Sequence, residues 1–535
     1  MKINDNIGVF VFVTDELLFN EKYNLDFLIS IISNEDFPCN TVINQLNQIL
    51  GENLNTETSL KKYNELFLNN IENLKTIFPN INIDLFKQKD YAIISTIGCE
   101  ILQTMIIKYG KFKKNVITYK VEFLLPLIVI ASSIVSRTDE IQGGENDLLL
   151  MLNQMQYYQF SNIDFRSNVA RTVYIYEKYI SNNELNELFS KKYNYSIKSY
   201  LDFMILVTTL NNSNAGYIKK EVLKIIIDEK EVPILIDDLK LDIYDEKMRN
   251  EVEIKFQIYP QLLYKKFILE IDNDTIQIVN FKRLIDYIYI NFIDKIRKIY
   301  DNENVFSRKY GDLLERYCRD LANDYVSNAK NKYHKFIDKF KFGNGQKESS
   351  DFYVRINDDL LVFEIKSTGR YNETTKHEIN DETPDLFKNE IETKIIKPTK
   401  QVDDCLTEMK KYNDINVEVI NAKNIYYIIV SEEVLKNNKK LQAERLSQIK
   451  CNNTNNPIIF LDITEFELLM TSLHNRSKSV VTTLVHYLKA YSTSNFIDFA
   501  LKENVTFKFN KNRVLDKIKI FDEILEKLKE KQSEI

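Results

Sequence analysis

The stretch SSDFYVRINDDLLVFEIKS, residues 349–367, decides how the fold is predicted. It contains two runs rich in apolar, β-branched and aromatic residues, Phe352–Asn357 and Leu360–Ser367, with the polar pair Asp358-Asp359 between them. Strand-forming runs on either side of a short polar turn are typical of a β-hairpin. The stretch therefore predicts two antiparallel strands joined by a tight turn.

The register of this hairpin follows from its turn. If the chain turns at Asp358-Asp359, Asp351 lies opposite Lys366 and Tyr353 lies opposite Glu364, and facing residues share one side of the sheet. One side is then wholly apolar, with Phe352, Val354, Ile356, Leu361, Phe363 and Ile365. The other side carries Asp351, Tyr353, Arg355, Val362, Glu364 and Lys366. A slip of one residue would separate the two acids and break the apolar side, so the pattern favours this register.

Two carboxylates and an amine converge at one end of the predicted hairpin. Asp351 and Glu364 are diagonal neighbours, at a separation that lets two carboxylates share a divalent cation, and hard oxygen ligands suit Mg²⁺ or Mn²⁺. A metal held there would polarise a phosphodiester, and Lys366 would orient a water and stabilise developing negative charge. The alternative is a solvated sheet face with an ordinary Glu and Lys ladder. Glu-x-Lys alone is a weak signal, because it recurs at residues 253–255 and 392–394.

The elements around the hairpin predict a mixed α/β domain. A long helix precedes the hairpin at Val305–Asn328. The elements that follow the hairpin are a helix at Thr399–Asn413, a strand at Asn424–Val430, a helix at Glu432–Gln448, a strand at Pro457–Ile463 and a helix whose N-cap is Thr464. The order α-β-β-α-β-α-β-α is that of a mixed α/β fold, with a sheet that helices cover on both sides.

This combination resembles the PD-(D/E)XK nuclease superfamily, which has the restriction-endonuclease-like fold. The resemblance covers residues 303 to about 470 and consists of an Asp, a Glu-x-Lys on the next strand, a Glu on the preceding helix and a Gln on the following helix. The matching segments are GDLLERYCRDL with Glu315, SSDFYV with Asp351, LVFEIKS with Glu364 and Lys366, and TKQVDDCL with Gln401. Ser350 stands where the proline that gives the family its name would be.

The resemblance implies a role for each matching residue. In that family the Asp and the Glu hold a metal ion and the Lys positions the attacking water, which here implies catalytic roles for Asp351, Glu364 and Lys366. The helix Glu adds a metal ligand, directly or through water, and the Gln orients the Lys or the phosphate. Glu315 would then join Asp351 and Glu364 at the metal, and Gln401 would belong to the catalytic set. A plain exposed helix Glu and an ordinary boundary Gln are the alternatives.

A basic run, Lys330–Lys347, precedes the hairpin. It contains six Lys and one Asp, with one Tyr and three Phe interleaved. Such a run can follow a phosphate backbone while its rings stack on bases, or it forms a solvated helix face with a buried aromatic side. On the first interpretation, the residues that contact nucleic acid are Lys335, Lys339, Lys341 and Lys347.

The rest of the chain is predicted to be mainly helical. Apolar residues recur at three- and four-residue spacing in Leu60–Ile77, Asn146–Phe160 and Asn168–Phe189. Short strands are predicted at Val9–Val13, Val232–Ile236, Val252–Ile258 and, as a hairpin, Phe267–Val279. We therefore predict a largely helical recognition, regulatory or assembly region at 1–300, with one or two subdomains, a nuclease-like mixed-sheet domain at 301–500, and a C-terminal amphipathic helix in 501–535.

Composition limits the class of protein. In 535 residues, 72 Lys and Arg against 78 Asp and Glu give a formal net charge of -6, so nucleic acid must be bound by a local patch. The five Cys form no CxxC pair and the four His no HxxxH pair, which argues against a disulfide scaffold and a structural zinc site. The N-terminal apolar run Val9–Val13 is too short for a signal peptide, and Leu124–Val135 is far shorter than the ~20 residues that span a bilayer. We predict a cytoplasmic protein without a membrane partner.

The sequence leaves three kinds of function open. The first is a Mg²⁺- or Mn²⁺-dependent endonuclease that hydrolyses phosphodiester bonds, with DNA favoured over RNA. The resemblance implies a restriction or phage-defence role, in which such nucleases are often dimers, and we leave open either a homo-oligomer or an activating partner protein. The second is a nuclease fold kept as a scaffold for partner binding. The third is a mostly helical interaction protein in which the hairpin acids are a coincidence.

Overall fold

A computed structural model describes most of the chain. The described residues are 11–52, 57–87, 91–113, 119–138, 171–181, 184–211, 217–252, 254, 260–300, 303–327, 334–366, 392–412, 416–431, 449–454, 456, 458–474, 526–527 and 530. Those in 11–299 belong to one compact unit and those in 300–474 to another. The predicted helices Asn146–Phe160 and Glu432–Gln448 lie outside the described residues, and so does nearly all of 501–535.

The first unit consists mainly of helices. They are Asp15–Phe19, Leu25–Ile32, Cys39–Gly51, Glu57–Asn69, Ile71–Lys75, Thr96–Tyr109, Leu124–Thr138, Glu184–Tyr193, Ile197–Asn211, Lys220–Leu223, Glu231–Leu239, Glu246–Asn250, Gln261–Lys265 and Phe281–Arg297. Short 3-10 helices lie at Ile83–Lys87 and Val121–Phe123, and a π-helical turn lies at Tyr176–Ile180. No helix among the described residues combines the length and the apolar character that crossing a membrane requires.

Small sheets complete the first unit. The predicted hairpin Phe267–Val279 is confirmed: Ile268–Glu270 pairs antiparallel with Thr275–Ile278, whose other edge pairs with Tyr217–Lys219. Near the N-terminus, Val11–Phe12 pairs parallel with Tyr91–Ala92. The predicted strand Val252–Ile258 lies largely outside the described residues.

The predicted strand Val232–Ile236 is wrong, because these residues lie in the helix Glu231–Leu239. The buried positions 232, 235, 236 and 239 have helical spacing, and Ile234 between them is 37% exposed. Pro233 falls in the first turn, where a missing N–H costs the helix nothing. A short apolar run does not by itself distinguish a strand from a buried helical turn.

A buried ion pair joins two helices of the first unit. Arg283, at the start of Phe281–Arg297, donates through Nε to Glu100 Oε1 at 2.7 Å and through Nη2 to Glu100 Oε2 at 2.8 Å. Asn280 Nδ2 adds a bond of 3.0 Å to Glu100 Oε1. Since neither charged side chain is more than 3% exposed, the two charges depend on each other for compensation.

The second unit contains four helices and seven strands among its described residues. In chain order they are α1 (Glu303–Ser327), β1 (His334–Asp338), β2 (Lys341–Phe342), β3 (Lys347–Glu348), β4 (Phe352–Ile356), β5 (Asp359–Lys366), α2 (Lys397–Met409), α3 (Val417–Ile420), β6 (Asn424–Ser431), β7 (Ile459–Asp462) and α4 (Ile463–His474). A π-helical turn at Glu392–Ile396 leads into α2. The N-cap of α4 is Asp462 rather than Thr464: Asp462 Oδ1 accepts from Glu465 N at 2.7 Å, and Glu465 Oε2 accepts from Asp462 N at 3.0 Å.

Five of these strands form one mixed sheet in the order β7-β6-β5-β4-β1. The pairs β1–β4 and β4–β5 are antiparallel, and β5–β6 and β6–β7 are parallel. On one face, Phe352 and Phe363 stack at 4.6 Å and contact Phe466 of α4. On the other face, a buried cluster combines residues of β4, β5 and β6 with Val402 and Leu406 of α2. Helices therefore pack on both faces of the sheet.

The predicted register of the β4–β5 hairpin is wrong by two residues. Val362, not Glu364, pairs with Tyr353, because the chain turns at Asn357-Asp358 instead of Asp358-Asp359. A shift of two residues leaves each side chain on its predicted face, since strand side chains alternate with a period of two. The predicted faces of the hairpin are therefore correct, and only the predicted pairing of residues across the two strands is wrong.

Candidate active site

The end of β5 brings together the three residues of the predicted catalytic core. Asp351 immediately precedes β4, and Glu364 and Lys366 lie at the end of β5. Asp351 Oδ2 accepts a bond of 2.7 Å from the backbone N–H of Ile365, and Lys366 Nζ donates to Glu364 Oε1 at 2.6 Å. Continuing the observed ladder by one pair places Asp351 opposite Glu364, closer than the diagonal arrangement that the sequence predicts.

Helix α2 adds the predicted glutamine to this group. Lys366 Nζ also donates to Gln401 Oε1, at 3.2 Å. The helix is held in place by its buried apolar residues Val402, Leu406 and Met409, which pack on the sheet. Gln401, beside this buried stripe, therefore reaches the end of β5, and the lysine ammonium is held between a carboxylate and an amide oxygen.

Glu315 of α1 joins the site through a lysine. Its Oε1 lies 3.5 Å from Lys339 Nζ, and the same ammonium lies 3.6 Å from Asp351 Oδ1. Arg319, one turn further along α1, contacts Glu315 Oε1 through Nη1 at 3.4 Å. All five residues implied by the resemblance thus lie around the same end of strands β4 and β5, with Lys339 between two of the acids.

The position of Lys339 follows from a strand that sequence reasoning missed. β1 pairs with β4 so that Asp338 lies opposite Phe352, and the next position of that ladder sets Lys339 beside Asp351. The basic run Lys330–Lys347 was interpreted without a strand, so nothing placed Lys339 next to the acids. The sequence offers no clear signal for this strand, because His-Lys-Phe-Ile-Asp does not alternate polar with apolar residues and the run is dominated by charge.

The other lysines predicted to contact nucleic acid lie away from the carboxylates of the site. Lys335 forms an ion pair with Glu418, and Lys347 forms one with Glu408. Lys341 on β2 is exposed and has no ion pair with any residue that the structure describes. Of the four predicted lysines, Lys339 faces the site and Lys341 presents an ammonium that is not paired with a described carboxylate.

Crowding of buried carboxylates changes their protonation. Burial, followed by the charge of Glu364, raises the pKa of Asp351 to about 6, against the opposing N–H of Ile365. Burial also raises the pKa of Glu364, although Lys366 opposes the shift. The pKa of Glu315 is raised by burial and then by the charge of Asp351. Burial is thus the main cause of all three shifts, and the charges of neighbouring acids add to it.

The donor set fits a hard divalent cation in chemistry. Asp351, Glu364 and Glu315 offer only carboxylate oxygens, which Mg²⁺ and Mn²⁺ prefer, and an added cation would stabilise their ionised forms. Within the described ranges, no three or more His, Cys, Asp and Glu side chains are arranged so that they could hold a metal ion. The carboxylates instead contact Lys339 and Lys366.

Ser350 uses its backbone in a way that proline does not allow. Its N–H donates to the hydroxyl oxygen of Tyr353 at 3.1 Å, and the Tyr353 side chain is fully buried. Proline has no N–H and would leave that buried hydroxyl without this donor. The departure from the family pattern at this position therefore has a local structural reason.

Comparisons with known proteins identify no relative of this chain. No family model matches the chain, and no curated protein or solved structure is significantly similar to it.

Proposed function

We propose that this protein is a Mg²⁺- or Mn²⁺-dependent endonuclease that hydrolyses phosphodiester bonds, with DNA favoured over RNA. The observation that carries the proposal is the chain of contacts Glu364–Lys366–Gln401 beside the buried carboxylate of Asp351. A lysine that is fixed by two oxygen partners next to two crowded acids is suited to orient a water and to stabilise charge on a phosphoryl group. A restriction or phage-defence role rests on the family resemblance alone.

Each residue has a distinct part in this proposal. Asp351 and Glu364 would hold the metal, with Glu315 as a further ligand, and the bound metal supplies Lewis-acid polarisation of the phosphodiester. Lys366 orients the attacking water and neutralises charge on the phosphate oxygens. Gln401 keeps the ammonium of Lys366 on the side of the site where Glu364 lies.

A scaffold without catalysis is the second candidate, and one observation favours it. The ammonium groups of Lys339 and Lys366 already contact the acids, so the carboxylates have partners without any metal. Such a network can be purely structural. On that interpretation, metal ions would neither bind the site nor change the stability of the protein.

The two candidates separate in a cleavage experiment with supercoiled plasmid and with a structured RNA, each with Mg²⁺ or Mn²⁺. Wild type is compared with Asp351→Ala and Lys366→Ala. Matched controls are Asp358→Ala and Lys423→Ala, which remove the same charges from an exposed ion pair at the opposite end of β5. We expect nicking or linearisation by wild type and both controls, and a loss of about 10²-fold or more in the two site variants.

Two results would contradict the proposal. Equal cleavage by wild type and the site variants would show that the nuclease activity comes from elsewhere. A wild-type protein that cleaves neither substrate and binds neither metal would leave the scaffold as the better account.

A further inference from the structure

One cation of the site, Lys339, lies among three carboxylates. Lys339 Nζ lies 3.5 Å from Glu315 Oε1, 3.5 Å from Glu348 Oε2 and 3.6 Å from Asp351 Oδ1. Lys366, by contrast, is fixed by a short bond of 2.6 Å to Glu364 and by the neutral Gln401. Lys339 thus occupies the space between carboxylates as a point charge, at distances longer than those of tight hydrogen bonds.

This position coincides with the space that the proposed metal requires. Glu315 and Asp351 are two of its three proposed ligands, and the ammonium sits between their oxygens. A divalent cation with ligand oxygens at 2.0–2.6 Å cannot share that space with an ammonium. Binding of the metal therefore requires the Lys339 side chain to leave, and at 27% exposure this side chain has a path to solvent.

We propose that Lys339 is a resident counterion that compensates the acids of the metal-free site and competes with the divalent cation for them. The inference rests on the proposed function, because it concerns the same metal site. The physical consequence is weaker metal binding. The apparent association constant equals the intrinsic constant multiplied by the fraction of molecules in which the lysine has left the site. The side chain thereby sets the metal concentration at which the site fills.

The test is a direct measurement of Mn²⁺ binding to the full chain, either by calorimetry or from the paramagnetic signal of free Mn²⁺. Lys339→Met removes the charge and keeps most of the side-chain length, and we expect it to bind Mn²⁺ at least about tenfold more tightly than wild type. Lys339→Arg keeps a cation and should bind close to wild type. Lys335→Met is the matched control, because Lys335 lies in β1, four residues before Lys339, but pairs with Glu418.

Thermal unfolding of the same proteins provides a second readout. With chelator present, Lys339→Met should unfold at a lower temperature than Lys335→Met, because Glu315 and Asp351 lose their counterion. Saturating Mn²⁺ should then raise its unfolding temperature by more than it raises that of wild type. If Lys339→Met does not fold without metal, Lys339→Gln takes its place in the binding measurement.

The outcomes distinguish this inference from the function on which it rests. Mn²⁺ affinity that is unchanged or weaker in Lys339→Met, with clear binding by wild type, would overturn the inference and leave the metal site standing. Absence of Mn²⁺ binding in wild type and in every variant would overturn the metal site itself, and the inference with it.

Discussion

Asn357 has a left-handed backbone, with a φ of 53°, at the turn between β4 and β5. Asparagine adopts this conformation more readily than most residues, whereas β-branched residues adopt it only with strain. The turn fixes which residues of the two strands face each other, and that pairing places Asp351 beside Glu364. The geometry of the candidate site therefore depends on the backbone of one residue that lies at the far end of the hairpin.

Replacing Asn357 tests this dependence. Asn357→Val should lower the free energy of unfolding by about 1–2 kcal/mol, because a branched side chain is strained at positive φ. Asn357→Gly is the control, and it should change the stability little because glycine tolerates the same conformation. Urea unfolding of the two variants measures the difference. Equal losses in both would mean that the side chain of Asn357, rather than its backbone, matters.

Residue patterns predicted the faces of the hairpin but not its pairing. Alternation along the strands fixes which side each residue occupies, and a shift of two residues leaves that alternation unchanged. The choice between Asn357-Asp358 and Asp358-Asp359 as the turn depends on a backbone angle, and both pairs are polar and turn-compatible. Local composition could therefore identify the acids and the lysine of the site without fixing which of them are opposite.

At the scale of elements, Asp403 holds helix α2 in place. Its carboxylate accepts bonds from the Tyr427 hydroxyl of β6 at 2.7 Å and from the backbone N–H groups of Asn452 at 2.8 Å and Asn453 at 3.0 Å. Burial opposes ionisation of this group, but these donors outweigh it and lower its pKa. Since Gln401 lies on the same helix, the carboxylate also fixes one partner of Lys366.

Asp403→Asn should lower the free energy of unfolding at pH 7 by about 1–3 kcal/mol, because buried donors lose a charged acceptor. A carboxyl whose pKa is lower in the folded state stabilises the protein above its unfolded pKa, near 3.9. The difference between wild type and variant should therefore shrink as the pH falls through that range. Urea unfolding at pH 7 and pH 3 measures it, with the exposed neighbour Asp404→Asn as control. A difference in unfolding free energy that does not change with pH would contradict the lowered pKa of Asp403 in the folded state.

Whole elements were predicted where their apolar spacing is long and regular, and missed where charge dominates. The helix predicted at Val305–Asn328 is α1, Glu303–Ser327, because many turns repeat the same pattern. β1 is five residues long, lies in a lysine-rich run and does not alternate polar with apolar residues, so its pairing with β4 is visible only in three dimensions. Because this strand is missed, the sequence predicts a nucleic-acid contact for Lys339 and gives no sign of its contacts with Glu315 and Asp351.

At the scale of the molecule, the chain forms two compact units, and we expect that the first can be weakened without altering the candidate site. Glu100→Gln removes one partner of the buried pair with Arg283 and should lower the free energy of unfolding of that unit by about 3–5 kcal/mol. Glu72→Gln is the control, because its pair with Lys75 is exposed and contributes at most about 1 kcal/mol.

Scanning calorimetry with and without Mn²⁺ checks this separation. We expect Glu100→Gln to lower the transition of the first unit while the Mn²⁺ affinity that we propose for the second unit stays at the wild-type value. A parallel loss of Mn²⁺ affinity would show that the two units are thermodynamically coupled. The role of the first unit could not be predicted from the sequence. Its apolar spacing indicates which residues are buried, and we recognise no catalytic or binding motif in it.

The mixed sheet has an antiparallel half and a parallel half, and this division bears on the order of folding. Strands β1, β4 and β5 are neighbours in sequence and close through short loops, whereas β6 and β7 join only after long crossovers. Contacts between residues close in the chain form faster than contacts that close long loops. We therefore expect Asp351, Glu364 and Lys366 to converge before the parallel strands join the sheet, with Lys339 of the same antiparallel segment bringing a compensating charge to them. On this expectation, the repulsion between the acids is reduced early in folding, within the segment that creates it.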